Sequence, residues 1–139
     1  VKLLLNAKKP VIWSGMGTLF SQATEELREF SELTEIPVYC TMPGKSSFDD
    51  RHPLSLGSGS AATSLPARRW LQESDVLFAV GSSMTRTSYG QPIGLAVVVL
   101  DGEHHTRVYG SSTPKPCQFV RESNRLRAIL RICRKYAWL

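Results

Sequence analysis

Residues 10–17, with the sequence PVIWSGMG, decide the fold. The first five of these residues are an apolar run that predicts a short, buried strand. Glycines at positions 15 and 17 follow at once, where a chain can turn from a strand into a helix. A glycine turn between a strand and a helix is typical of the start of a βαβ unit, so this stretch predicts an α/β protein.

The following segment completes the unit with a helix over residues 21–34 and a strand over residues 37–41. Ser21 is placed to cap the helix at its N-terminus. The apolar positions of the helix are spaced to form one buried face: Ala23, Leu27, Phe30 and Leu33. Because the crossover between the two strands has about twenty residues, the strands are expected to be parallel.

Apolar runs and helical spacing predict the remaining elements. Helical segments are expected over residues 3–8, 65–73 and 121–138, and strands over residues 75–81 and 95–101. The polar residues 42–60 predict a long loop that is either functional or mobile. The whole pattern predicts an open, Rossmann-like α/β fold, with a mostly parallel sheet and helices on both faces.

Composition suits one domain and places the excess charge in its last third. The chain has 139 residues, 42% of them hydrophobic, and a formal net charge of +5. Residues 1–93 hold nine Lys/Arg and nine Asp/Glu, whereas residues 94–139 hold eight Lys/Arg and three acids. A basic nucleic-acid-binding module acting through the last helix is therefore one alternative function. Its charges are scattered without an aromatic platform, which favours a solvated face and no nucleic-acid partner.

The sequence also indicates where the protein works. No apolar run reaches the ~18 residues that span a bilayer, so no membrane association is expected. The N-terminal apolar run is too short for a signal peptide. Three widely spaced cysteines, Cys40, Cys117 and Cys133, argue against a disulfide framework or a zinc site. We expect a cytoplasmic protein.

The turn at Gly15, Met16 and Gly17 could hold a phosphate, because glycines let backbone N–H groups approach an anion at a helix N-terminus. The dinucleotide fingerprint also needs a glycine at position 20 and an acid at the end of the second strand. Phe20, Cys40 and Thr41 stand at these places. The pattern therefore fails as a nicotinamide signature. A tight turn that needs glycine for packing explains it equally well.

A second candidate is Thr41-Met42-Pro43-Gly44-Lys45, at the carboxyl end of the second strand, where ligands bind in open α/β sheets. Lys45 could neutralise a phosphate or pair with Asp49 or Asp50, and the solvated ion pair is the preferred interpretation. His104 and His105 have no metal-ligand spacing, and His52 alone indicates no catalytic triad. We predict no catalytic residue and no metal ligand.

Together these motifs resemble the central domain of thiamine-diphosphate-dependent enzymes of the acetolactate synthase and pyruvate decarboxylase type. The similar motifs occur in the family's order: Lys9-Pro10-Val11-Ile12, Gly15-x-Gly17, Ile36-Pro37-Val38, Thr41-x-x-Gly44-Lys45, His52-Pro53-Leu54, Gly57-Ser58-Gly59 and Glu73 to Gly81. Residues 83–93 also resemble the loop that leaves this last strand in some of these enzymes.

The resemblance implies a domain that bridges two catalytic domains and itself has no catalytic residue. In the family, an N-terminal domain activates thiamine diphosphate, and a C-terminal domain holds its diphosphate and Mg²⁺. This sequence covers neither of these domains. Those domains are the implied partners, within a homo-oligomer. The central domain binds FAD in some members, ADP in others and nothing in many. Carried over by position, the implied FAD or ADP contacts are Gly15, Met16, Gly17, Thr41, Gly44, Lys45, Gly81, Ser82, Ser83, Met84 and Thr85.

The resemblance weakens after residue 93. We therefore divide the chain into residues 1–93, the core of the central domain, and residues 94–139, a basic segment that completes or replaces its end. The family's Gly-Asp-Ala before the last helix is absent, so the segment is either a divergent tail or a frameshifted reading. A truncated remnant of the family is one interpretation of the chain. A stand-alone nucleotide- or NAD-binding enzyme, as in the deacylases related to this domain, is the alternative.

Overall fold

The computed structural model describes residues 4, 6–59, 63–82, 97–101 and 118–120. Six strands in this part of the chain form one sheet in the order β3-β2-β1-β4-β5-β6, and every neighbouring pair is parallel. The strands are β1 (Pro10–Ser14), β2 (Val38–Thr41), β3 (Ser55–Gly59), β4 (Val76–Val80), β5 (Val97–Asp101) and β6 (Gln118–Val120). This order is typical of doubly wound sheets, and it confirms the predicted Rossmann-like fold.

Three α-helices and one 3-10 helix accompany the sheet in the described residues. They are α1 (Met16–Phe20), α2 (Thr24–Thr34), α3 (Leu65–Glu73) and the 3-10 helix Met42–Gly44. None of the described helices is long and apolar enough to cross a membrane. Within these elements, β1 and α3 have the predicted bounds, and β4 lies inside the predicted strand.

Two apolar layers, one on each face of the sheet, hold α2 and α3 in place. Leu27 and Phe30 of α2 pack with Ile12 and Phe78 on one face. Ala67 and Leu71 of α3 pack with a second set of strand residues on the other face, including Val11 and Leu77. Because successive strand residues point to opposite faces, β1 and β4 need apolar residues at nearly every position.

The predicted cap of the long helix is wrong. The chain forms two helices, and Ser21 ends α1 rather than starting α2. Its hydroxyl donates to the carbonyl oxygens of Gly17 at 2.9 Å and Thr18 at 3.2 Å. Gln22 has a left-handed φ of 53°, which interrupts the helix before α2 begins. The buried face of α2 is formed by Leu27, Phe30 and Ser31, so Leu33 is exposed, contrary to expectation.

The prediction of one long loop over residues 42–60 is also wrong. The segment contains the 3-10 helix and the edge strand β3, which pairs with β2 through a shifted register. The Ser-Leu-Gly-Ser-Gly sequence of β3 has no β-branched or aromatic residue, so its local preference for a strand is weak. Pairing with β2 supplies the stabilisation. Strand β6 was likewise not predicted. In the predicted helix over 3–8, Leu4 is helical but residues 6–8 are not, and residues 3 and 5 lie outside the described residues, as does the predicted helix over 121–138.

A carboxylate fastens the entry of β1 to the start of β4. Asp75 accepts the backbone N–H groups of Lys8 at 2.7 Å and Lys9 at 3.0 Å. The Lys9 ammonium lies over the Trp70 ring and pairs with Glu73. Burial raises the pKa of Asp75, but the backbone N–H donors outweigh it and hold that pKa below the ordinary value of 3.8.

We expect Asp75→Asn to lower the free energy of unfolding by about 1 kcal/mol at pH 7, since charge-assisted bonds to a partly exposed group are lost. A carboxylate with a lowered pKa stabilises the fold fully above its unfolded-state pKa, and the stabilisation is lost as the pH falls through the folded-state pKa. The free energy of unfolding, measured with urea, should therefore fall more steeply for the wild type than for Asp75→Asn on acidification below about pH 5.

Asp50→Asn is the control, because it removes an exposed carboxylate for which no such backbone bond is found in the described residues. The free energy of unfolding of Asp50→Asn should fall on acidification as steeply as that of the wild type, and more steeply than that of Asp75→Asn. Equal acid dependence in the wild type and Asp75→Asn would contradict the role of this carboxylate.

Candidate functional site

Three loops meet at the carboxyl edge of the sheet, around the ends of β1 and β4. They are residues 15–17 at the turn from β1 into α1, residues 41–47 from the end of β2 through the 3-10 helix, and residues 81–82 after β4. The N–H of Gly15 donates to the Val80 carbonyl at 2.8 Å, and the N–H of Gly17 donates to the Gly81 carbonyl at 2.8 Å. We call these three loops the switch-point edge, because the winding of the sheet reverses between β1 and β4.

Glycines at the switch-point edge bring the first and third loops into backbone contact. A Cβ on Gly15 would lie 2.7 Å from Cα of Ser82, and a Cβ on Gly17 would lie 2.7 Å from Cα of Gly81. Favourable contacts between carbon atoms are about 3.5–4.0 Å, so neither side chain fits. Gly81 in addition has φ +59°, in the left-handed region that favours glycine. Close packing therefore accounts for all three residues.

The same contacts occupy the amides of the first turn. Two of its three N–H groups, those of Gly15 and Gly17, already donate to carbonyls at the end of β4. A phosphate at this turn would have to compete with those bonds, unlike a phosphate at an open helix N-terminus. Of the two interpretations that the sequence left open, close packing is the one with a direct geometric reason. Ligand contact by these glycines stays a prediction.

The loop after β2 lies directly on the first loop. Thr41 Oγ1 accepts the N–H of Gly44 at 3.1 Å and so caps the 3-10 helix. A Cβ on Gly44 would lie 2.7 Å from the Ser14 carbonyl oxygen, so this position also needs glycine. The predicted ion pair of Lys45 with Asp49 or Asp50 is not found among the described residues, and Asp49 pairs with Arg51 instead. Lys45 is exposed, and no ion pair of its own is found within the described residues.

Two methionine side chains and one lysine are exposed on the switch-point edge. Met16 is 45% exposed, Met42 is 56% exposed, and Lys45, three residues after Met42, is exposed as well. Phe20, where the dinucleotide fingerprint would have its third glycine, is 77% exposed. Flexible methionines can pack on a planar ring, and an ammonium group can pair with a phosphate.

Sequence reasoning missed a buried polar layer beneath these loops. Ser14 and Ser47 are fully buried, and Thr18 and Cys40 are 1% exposed. Their hydroxyl and thiol groups bond to one another, as buried polar groups generally do. Burial raises the pKa of the Cys40 thiol. The available signal was Ser14, a polar residue at the last position of an otherwise apolar strand.

The structure brings most of the predicted contact residues together. Those on the switch-point edge are Gly15, Met16, Gly17, Thr41, Gly44, Lys45, Gly81 and Ser82. The remaining three, Ser83, Met84 and Thr85, lie outside the described residues, as do His104 and His105. No group of three or more His, Cys, Asp or Glu in the described ranges could hold a metal ion.

His52 belongs to the fold rather than to this edge. Its Nδ1 accepts the N–H of Leu54 at 3.2 Å, and its Nε2 lies 3.3 Å from a Glu32 carboxylate oxygen. The ring packs edge-on against Phe48. These contacts fix the path of the chain between the 3-10 helix and β3.

An all-parallel sheet with this strand order and with glycine turns at its carboxyl edge defines a doubly wound, Rossmann-like domain. Comparison with protein families is more specific. Residues 1–106 match the family model described as the thiamine pyrophosphate enzyme central domain. The chain belongs to this family, which confirms the resemblance found in its motifs.

Curated relatives place the chain near the acetolactate synthases. It is 44% identical over 81 residues to the probable acetolactate synthase large subunit of Methanococcus aeolicus, a match that covers 58% of this chain and 14% of the relative. It is 43% identical over 82 residues to the acetolactate synthase large subunit of Corynebacterium glutamicum, covering 59% and 13%.

A relative with a different name also matches. The 3D-(3,5/4)-trihydroxycyclohexane-1,2-dione hydrolase 2 of Bacillus cereus is 34% identical over 85 residues, covering 61% of this chain and 13% of the relative. The chain thus matches only 13–14% of the length of each of these three relatives. Similarity in this region does not by itself select between their reactions.

We expect Gly15→Ala to destabilise the fold by about 3 kcal/mol, because its Cβ would overlap the backbone after β4. Gly57→Ala is the matched control. Gly57 has φ +78° but nothing within 4 Å of an added Cβ, so it should cost about 1 kcal/mol from backbone strain alone. Thermal and urea unfolding would measure both. A smaller cost for Gly15→Ala than for Gly57→Ala would contradict the packing of the switch-point edge.

Proposed function

We propose that this chain acts as the non-catalytic central domain of a thiamine-diphosphate-dependent enzyme of the acetolactate-synthase-like type. In this role it bridges the cofactor-binding domains and contributes to subunit packing in a homo-oligomer. The observation that carries the proposal is the match of residues 1–106 to the central-domain family. The small share of each relative that the chain matches supports a part in a larger assembly.

Thiamine diphosphate and Mg²⁺ belong to the parent enzyme in this proposal. When bound there, thiamine diphosphate supplies the carbanion chemistry on which such enzymes depend. Holding its diphosphate through Mg²⁺ requires clustered oxygen ligands. The described residues contain no cluster of three or more His, Cys, Asp or Glu, so they do not fit that task. The cofactor contacts would come from the partner domains.

The switch-point edge is the proposed site for an adenine nucleotide, either FAD or ADP. The crevice at the reversal of a doubly wound sheet is the usual ligand position in such folds. Here Met16 and Met42 offer apolar contact and Lys45 offers a positive charge for a phosphate. Gly15, Gly17, Gly44 and Gly81 would act by holding the loops close together. Thr41 would act by capping the 3-10 helix through its bond from the Gly44 N–H.

The geometry disfavours NAD as the nucleotide. A ribose-binding acid would stand at the end of β2, where Cys40 is buried and the Thr41 hydroxyl is occupied by Gly44. Phe20 stands in place of the third glycine. Nucleic-acid binding through residues 121–138 lies outside the described part of the chain and stays an alternative. Cys40 is a free thiol, which suits the proposed cytoplasmic location.

The test is titration calorimetry of the full chain with ADP, FAD and thiamine diphosphate, together with mass analysis for a co-purified nucleotide. We expect binding of ADP or FAD. Lys45→Met should weaken that binding about tenfold, because it removes the charge available to a phosphate. Arg28→Met is the control, since it removes an exposed cation from α2 that pairs with Glu25.

Three outcomes would count against the proposal. Tight binding of thiamine diphosphate by this chain would contradict its role as a non-catalytic central domain. Absence of ADP and FAD binding, or equal affinities for Lys45→Met and Arg28→Met, would contradict the nucleotide site. NAD binding would favour the stand-alone enzyme, and binding of nucleic acid that weakens steeply with salt would favour the basic module.

A further inference from the structure

Five buried groups beneath the switch-point edge form one continuous hydrogen-bonded chain. Cys40 Sγ lies 3.4 Å from Ser47 Oγ, which lies 2.7 Å from Ser14 Oγ. Ser14 Oγ donates to Thr18 Oγ1 at 3.0 Å, and Thr18 Oγ1 donates to the Val80 carbonyl at 3.4 Å. These groups come from β2, the loop after the 3-10 helix, β1, α1 and β4.

Counting protons fixes the direction of this chain. Each hydroxyl has a single proton to donate. Thr18 uses its proton on Val80, and Ser14 uses its proton on Thr18, so Ser47 must be the donor to Ser14. Ser47 then has no proton left for Cys40, and the Cys40 thiol must donate to Ser47. Every bond therefore points from β2 towards β4.

We propose that this one-way chain sets the positions of the three loops of the switch-point edge, with Ser14, Thr18 and Ser47 as positioning residues and the Cys40 thiol as its first donor. Its link to ligand binding rests on the proposed function. The positioning itself is a property of the ligand-free fold. The raised pKa of Cys40, caused by burial, agrees with a thiol that keeps its proton.

The end of the chain explains how it acts on the first turn. The Val80 carbonyl that accepts from Thr18 also accepts the N–H of Gly15 at 2.8 Å. The first turn is therefore held to β4 by a backbone bond and by a side-chain bond on the same oxygen. At the other end, the N–H of Ser47 donates to the Gly44 carbonyl at 3.0 Å, so Ser47 links the second loop to β1.

Hydrogen exchange of the ligand-free full chain tests the proposal. Ser47→Ala should remove the donor to Ser14 and the acceptor of the Cys40 thiol in a fully buried layer. We expect the amides of Gly15, Gly17 and residue 47 to exchange about tenfold faster or more, beyond any change in global stability. Ser31→Ala is the matched control. Ser31 is also fully buried with one hydroxyl bond, to the Ile36 carbonyl at 2.8 Å, but lies at the far end of α2.

A milder pair of variants covers the case in which Ser47→Ala does not fold. Cys40→Val keeps the bulk of the side chain and removes the first donor, whereas Cys40→Ser keeps a donor. The residue 47 amide should exchange faster in Cys40→Val than in Cys40→Ser. Equal exchange in this pair, or the same exchange pattern in Ser47→Ala and Ser31→Ala, would overturn the proposal.

Titration with ADP separates this inference from the proposed function. If the wild type binds ADP, Ser47→Ala should bind it about tenfold more weakly, while Ser31→Ala should bind it as the wild type does. Unchanged affinity in Ser47→Ala would overturn the positioning of the nucleotide site. Failure of the wild type to bind ADP would contradict the nucleotide site alone, and the exchange comparison would still decide whether the chain positions the loops.

Discussion

The fold depends most on the close approach of two backbones at the ends of β1 and β4. Gly15 and Gly17 donate to carbonyls at the end of β4, and their Cα atoms leave no room for a side chain between the loops. Gly44 brings the loop after β2 onto the same place. Because strands of a parallel sheet carry their carboxyl ends to one edge, this packing fixes three loops at the point where ligands bind in doubly wound folds.

The buried hydroxyl groups complement that packing. Close approach of the backbone excludes water, so any polar side chain beneath the loops must find a partner within the protein. Ser14, Ser47 and Thr18 satisfy one another and reach the carbonyl of Val80, which also accepts from Gly15. Packing and hydrogen bonding therefore act on the same loops.

Predictions from the sequence succeeded where the pattern was local and strong. Apolar runs identified β1 and β4, and helical spacing identified α3 within its observed bounds. They failed at Ser21, where a left-handed Gln22 divides the expected helix in two. They also failed at β3, whose Ser-Leu-Gly-Ser-Gly sequence becomes a strand only by pairing with β2. Local preference cannot report a strand that a neighbour stabilises.

The sequence by itself determined the fold class, the family and the edge of the sheet on which the candidate residues lie, because apolar periodicity and glycine turns are local properties. The tertiary structure decided what those residues do there. It showed that the amides of Gly15 and Gly17 are already bonded and that Asp49 pairs with Arg51 rather than Lys45. It also joined Ser14 to Ser47, 33 positions apart in the chain. Such contacts depend on how distant segments pack, which no local pattern encodes.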